Sequence, residues 1–202
     1  MSGPTVDFWQ SHFDAGRTPW DRGEANPQLA RWLGSGALSP CRIAVPGCGS
    51  GYEVARLAQA GFDVTGIDYA PAAAARTRAA IEVASTNAAV IEADVLAWSP
   101  REPFDAIYEQ TCLCALHPDH WIAYSRQLEA WLRRGGRLFA LFVQHVRPGA
   151  AQGVVEGPPY HCDVNGMRAL FDASRWEWPK PPYERVPHPI GFAELAVVLT
   201  RR

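Results

Sequence analysis

The sequence predicts an α/β fold, a mostly parallel sheet with helices packed on it. Three observations carry this. Short apolar runs alternate with helical stretches from residue 42 onward, a Gly-x-Gly-x-Gly loop ends the first run, and acidic residues stand at the ends of the runs that follow. Strands separated by helices of this length are βαβ units, and ligands of such sheets bind beyond the carboxyl ends of the strands.

Residues 1–35 hold Trp9, Trp20 and Trp32 and read as short helices, with a turn at Thr18-Pro19 and a helix start at Asn26-Pro27. They are expected to cover a core at 36–202, so that 1–202 forms one domain. Arg42 to Pro46 is the first strand, running into Gly47-Cys48-Gly49-Ser50-Gly51. Tyr52 to Ala60 is a helix with Val54, Leu57 and Ala58 on one face, stopped by Gly61. Phe62 to Ile67 is the second strand and ends on Asp68. Pro71 opens an alanine-rich helix that runs to about Ala84. Ala88 to Glu92 is the third strand, ending near Asp94, and Phe104 to Tyr108 is the fourth, ending near Glu109. His117-Pro118-Asp119 opens a helix through Trp131-Leu132, which Gly135-Gly136 closes. Arg137 to Val143 is the fifth strand, Val164 to Ala173 a helix, and Phe192 to Leu199 the last strand.

Composition removes several function classes. Lys+Arg 19 against Asp+Glu 21 leaves a net charge of −2, without the basic face that a nucleic-acid binder needs. Apolar residues are 48% and charged residues 20% of the chain, which excludes disorder. The apolar run Leu138 to Val143 is far short of the ~20 residues that cross a bilayer. The start, Met-Ser-Gly-Pro-Thr-Val-Asp, lacks the basic and apolar regions of a secretion signal. Cys41, Cys48, Cys112, Cys114 and Cys162 contain one C-x-C and no C-x-x-C, so no metal site is expected and the thiols read as reduced. The expectation is a cytoplasmic monomer acting on a small molecule, away from nucleic acid and membrane.

The glycine loop allows a tight turn and close approach of a ligand to the backbone. The dinucleotide fingerprint G-x-G-x-x-G would need glycine at 52, where this chain has Tyr52. Asp68 lies 68 − 49 = 19 positions after Gly49, where a carboxylate accepts from a ribose diol; the competing reading is a helix cap ahead of Pro71. Asp94 is placed to accept from an adenine amino group while Val95 packs on the ring, or else Asp94 is a solvated turn residue. The loop alone does not separate a nicotinamide from an adenosyl cofactor. No Lys or Arg lies between Arg42 and Arg56, and Glu53 stands in the first turn of the following helix. A carboxylate there is a poor neighbour for a pyrophosphate, which favours S-adenosylmethionine over NAD.

Val45-Pro46-Gly47-Cys48-Gly49-Ser50-Gly51 with Asp68 and Asp94-Val95 resembles the class I S-adenosylmethionine-dependent methyltransferases. Phe8-Trp9, Phe13 and Gly16-x-Thr18-Pro19-Trp20-Asp21 are similar to the start of the thiopurine S-methyltransferase superfamily. Cys114-Ala115-Leu116 with Pro118, and Gly157-Pro158-Pro159-Tyr160, resemble its thiol and halide (thiocyanate) branch. The resemblance implies a Rossmann-like seven-stranded sheet with helices on both faces and an antiparallel C-terminal hairpin, whose other arm is Tyr183 to His188. It implies that Trp9, Trp20, Gly47, Asp68, Asp94 and Val95 line the cofactor. Phe13, Pro46, Cys48, Gly49, Gly51, Tyr69, Glu109 and Gln110 complete that set, and Phe13, Cys114 and Tyr160 face the acceptor. Two departures, Phe13 and Gln110 where plant halide methyltransferases carry Trp and Tyr, argue against a bare halide.

A sulfonium suits tryptophan faces, and a soft nucleophile such as a thiolate needs little general-base help. His117, Glu109, Asp21 and His12 are the candidate bases, and none is nominated; Cys112 and Cys114 read as structural thiols. Gly157-Pro158-Pro159-Tyr160 resembles the motif of nucleic-acid amino-methyltransferases but follows the wrong strand and begins with Gly. The leading reading is methyl transfer to a thiol, sulfide or thiopurine-like sulfur. Its competitors are a halide, oxygen or nitrogen acceptor, a cofactor-binding module without turnover, and a nicotinamide reductase.

Overall fold

The computed structural model describes residues 3–202; Met1 and Ser2, at the start of the expected domain, lie outside it. The strands are β1 (Arg42–Pro46), β2 (Asp63–Asp68), β3 (Ala89–Glu92), β4 (Phe104–Gln110), β5 (Leu132–Gln144), β6 (Trp176–Glu177), β7 (Glu184–Pro187) and β8 (Ala193–Arg201). The α-helices are α1 (Val6–Asp14), α2 (Pro27–Gly34), α3 (Tyr52–Gln59), α4 (Pro71–Val83), α5 (Trp121–Trp131) and α6 (Val164–Leu170). The sheet runs β3-β2-β1-β4-β5-β8-β6, with β7 also on β8. β1 to β5 pair in parallel and β8 enters antiparallel to β5. β6 pairs with Thr200 and Arg201, and β7 with Ala193 to Ala196, so the two share the outer edge of β8. Eight segments therefore fill the seven strand positions that the resemblance implies.

Alternation along the strands divides the core. Ile43, Val45, Ala106 and Tyr108 face Trp32 of α2 and Val54 and Leu57 of α3. Ala44, Ile107, Leu138 and Phe142 face Tyr124, Leu128 and Trp131 of α5. Helices thus cover both faces, which is why the central strands read as continuous apolar runs. The expected start of α2 is present: the Asn26 side chain accepts from the Gln28 amide at 2.9 Å and Pro27 occupies the first turn.

Two expected boundaries move. Gly135-Gly136 does not close α5. The helix ends at Trp131, and Leu132 is already extended (φ −85°, ψ 145°) and paired with Phe104. The glycines instead form a kink inside β5, beside a shift of register between Phe104 and Ala106. The helix expected to Ala173 stops at Leu170, because Asp172 turns its carboxylate to the Ser174 amide at 2.9 Å and starts a new turn.

β1 is the point where strand order reverses, since β2 lies on one side of it and β4 on the other. The carboxyl ends of β1, β2 and β4 open into one crevice there, and residues 3–35 fold over it.

Candidate functional site

The crevice is a cavity of about 400 Å³, within the roughly 300–1,000 Å³ of ligand pockets. Its floor is the glycine loop. Gly47 adopts φ +61°, and a Cβ there would lie 2.9 Å from the Cys112 Cβ. Gly51 adopts φ +80°, and its Cβ would meet the Thr77 Cα of α4 at 2.6 Å. Both glycines therefore answer to close packing of the chain on itself as well as to turn geometry.

Asp68 ends β2 with its carboxylate in the crevice. One oxygen accepts from the Gly49 amide and the other from the Ala70 amide, each at 3.0 Å. It thereby ties the loop to the cap of α4. Each oxygen retains a further lone pair. Burial pushes its carboxyl above the ordinary range, against the pull of these amides.

The roof is aromatic. Trp9 and Phe13 of α1 and Trp20 beyond it form a cluster, with Trp20 edge-on to Trp9 at 5.2 Å and to Phe13 at 6.0 Å. The cover is fastened at several points. Gln10 accepts from the Ala72 amide at 2.9 Å, and the Arg76 guanidinium donates to the Phe13 carbonyl. Ser50 donates to Asp21 at 2.5 Å, and the Asn26 amide donates to Glu53 at 2.9 Å. Arg22 meets Glu194 of β8 at 2.9 Å in a pair with only 8% and 0% of its side chains exposed. The Glu194 carboxylate also accepts from Asn26 at 2.8 Å, yet burial outweighs both partners and holds it above its usual range. Burial likewise pushes Glu53 up to about 7. His188 stacks on Phe192 at 4.2 Å and faces the Trp20 carbonyl at 3.2 Å; burial and Arg22 push it down to about 4.

From the floor the cavity continues past Thr111 and Cys112 toward Cys114, Leu116, Val143 and Phe192. The cavity-lining thiols are not activated. Burial raises Cys48 to about 12 and drives Cys112 and Cys114 well above the usual thiol range.

A family model for thiopurine S-methyltransferase matches residues 4–189. The probable thiol methyltransferase 2 of Arabidopsis thaliana is 31% identical over 201 residues, covering 98% of this chain and 79% of the relative. The chain belongs to the thiopurine S-methyltransferase family. Thiocyanate methyltransferase 1 of the same plant is 29% identical over 192 residues, covering 94% and 74%. In fold, the chain superposes on the Burkholderia thailandensis 1,6-didemethyltoxoflavin-N1-methyltransferase solved with S-adenosylhomocysteine. The TM-score is 0.76 at 18% identity, covering 100% of this chain and 93% of that one. As a member of the thiopurine S-methyltransferase family the protein is an enzyme, and its methyl donor is S-adenosylmethionine.

Most of the residues singled out from the sequence converge in this family member's crevice. Trp9, Phe13, Trp20, Gly47, Cys48, Gly49 and Asp68 line it, as do Tyr69, Asp94, Val95, Gln110 and Cys114. Four do not. Glu109 points to the opposite face of β4 from Tyr108 and Gln110, where it accepts from the Leu113 amide at 2.7 Å and caps a turn; burial raises it to about 7. Tyr160 is buried, its amide donating to the Cys114 carbonyl at 2.8 Å and its ring edge-on to His117 at 5.4 Å; Pro158 and Pro159 line the cavity in its place. Pro46 ends β1 below the cavity, where Val45 lines it, and Gly51 is turned against α4. Of the candidate bases, His12 and Asp21 reach the cavity and His117 and Glu109 do not. His145 and Arg147 line it and were missed. Both lie just past a strand end with no motif around them, and only their period-two spacing after Val143 marks them in the sequence.

Proposed function

We propose that the protein transfers a methyl group to the sulfur of a small thiol, as a monomer acting on free small molecules in the cytosol, with 1–202 as one domain. The observation that carries the reading is a cavity with an aromatic roof over the glycine loop and a continuation walled by Cys114, Leu116, Val143 and Phe192. When bound, S-adenosylmethionine supplies an electrophilic methyl carbon on a sulfonium. The residues fit that group. Trp9, Phe13 and Trp20 offer π faces to a cation, an attraction of ~1–2 kcal/mol when water is excluded. Asp68 keeps lone pairs for ribose hydroxyls, and Asp94 and Val95 offer an acceptor and an apolar face for adenine. Gln110 and Tyr69 close the floor. The Asp21 carboxylate stands where a pyrophosphate would be repelled and an ammonium held.

The chemistry then asks only for positioning. With the donor bound, the crevice would hold a thiolate in line with the methyl carbon, the thiolate would displace the sulfonium sulfur as a neutral thioether, and the thiol proton would go to solvent. A free thiol has a pKa near 8.5, so a few per cent is ionised at neutral pH. The apolar wall around Cys114 and Val143 strips water from that soft anion and offers a hydroxyl or amine no activation. The experiment is incubation with methyl-labelled S-adenosylmethionine and a panel of thiols, sulfide, halides and oxygen or nitrogen acceptors. Label in the thioethers is the expected result. Label only in oxygen, nitrogen or halide products overturns the acceptor, and tight cofactor binding with no transfer to any acceptor points to a binding module.

A further inference from the structure

β5 ends at Gln144, but the chain continues extended, with φ −82° and ψ 153° at Arg147. In an extended chain every second side chain faces the same way. Val143, His145 and Arg147 accordingly line the cavity, while Gln144 turns away to donate to the Cys162 carbonyl at 2.7 Å and Val146 is exposed. The acceptor wall is therefore graded. It is apolar next to the cofactor floor and ends in an imidazole and a guanidinium about two and four residues farther out, at roughly 3.3 Å per residue.

Arg147 is short of partners. One terminal nitrogen donates to the Pro158 carbonyl at 3.0 Å, Nε is buried with no partner, and among the described residues no carboxylate lies within ion-pair distance of it. The nearby Glu156 is turned to the Gly149 amide at 2.9 Å. The carboxylates of the cavity, such as Asp21, Glu53, Asp68 and Asp94, belong to the floor and cover. A guanidinium with free donors and no ion-pair partner, its neighbour Glu156 being engaged by the Gly149 amide, is a receptor for a planar anion. A sulfur about to attack carbon must keep its lone pair free, so the anion held there is a second group on the acceptor.

We propose that Arg147, flanked by His145, selects acceptors that carry a carboxylate at the end remote from the thiol. This rests on the S-methylation reading above. The neutral imidazole beside it suits the role, since burial together with Arg147 and His161 lowers the His145 pKa and leaves the ring free to donate one hydrogen bond.

The test uses mercaptocarboxylates with spacers of two to six methylenes, each against its uncharged carboxamide. Turnover is measured with S-adenosylmethionine, and binding by calorimetry with S-adenosylhomocysteine present. In the wild type one spacer length should be preferred, with its acid favoured over its amide by roughly tenfold or more in kcat/KM, chiefly through KM. In Arg147→Gln the ratio of acid to amide should fall to near one, and Arg147→Lys should restore part of it. Equal use of acid and amide by the wild type, or an unchanged ratio in Arg147→Gln, overturns the proposal. Acids that bind through Arg147 but are never methylated uphold the anion site and overturn the S-methylation reading instead. Failure of all the thiols to bind or react overturns both.

Discussion

Asp68 is held by two backbone amides and still presents lone pairs to the crevice. Its two sequence readings, ribose acceptor and helix cap, are compatible, because a carboxylate has enough acceptor sites for both. Asp68→Ala should weaken S-adenosylhomocysteine binding by about 1–3 kcal/mol in calorimetry, and unchanged affinity would remove Asp68 from the site. Trp20 is only partly buried and meets Trp9 and Phe13 by its edge. Trp20→Ala should cost about 1–2 kcal/mol of cofactor affinity with an unchanged far-ultraviolet circular dichroism spectrum; a collapsed spectrum would make it a core residue. Legibility at this scale follows chemistry. Residues tied to a loop or strand tip, such as Gly49, Asp68 and Val95, are identifiable from spacing. Glu109 is not, because β4 is buried on both faces and a one-residue change of phase moves its carboxylate from the crevice to the far side.

Elements meet at the glycines. A Cβ on Gly51 would press on the Thr77 backbone, which lies in α4 and has no flexible end to give way. A Cβ on Gly49 finds its nearest atom, the Phe13 Cζ, at an ordinary 3.7 Å. Both glycines have positive φ, so each alanine variant bears the left-handed cost of about 1–2 kcal/mol, but only Gly51→Ala must also part α3 from α4. Denaturant unfolding should show Gly51→Ala as clearly the less stable of the two; equal losses would mean that the helices yield freely. The βα units were legible because apolar runs and turn residues agree there. The kink at Gly135-Gly136 was not, since a glycine pair after an amphipathic run reads as a helix stop whether or not the chain has already become a strand.

Across the whole molecule, buried acids set the response to pH. Glu53 and Glu109 move from an ordinary 4.5 to about 7 on folding. Between those values the native state keeps protons that the unfolded chain has released, so stability present below pH 4.5 is lost as the pH rises through about 7. His188 runs the other way, from 6.5 down to about 4, and its contribution is present above 6.5 and lost as the pH falls through 4. Above 6.5 the carboxyls act without that opposition. The urea midpoint should therefore decline as the pH is raised from 6.5 through 7, and decline less in Glu53→Gln, whose amide oxygen can still accept from Asn26. Identical profiles would remove Glu53 as a contributor.

β8 is the last strand in the chain, but it lies between β5 and the β6/β7 edge and supplies Glu194, the anchor for Arg22 in the cover. Arg22 and Asn26 thus tie the cover to this strand through one carboxylate, in addition to its ties to the glycine loop and α4. A disturbance at that far edge of the sheet is thereby handed to the roof over the crevice, the two places distant along the chain but one carboxylate apart.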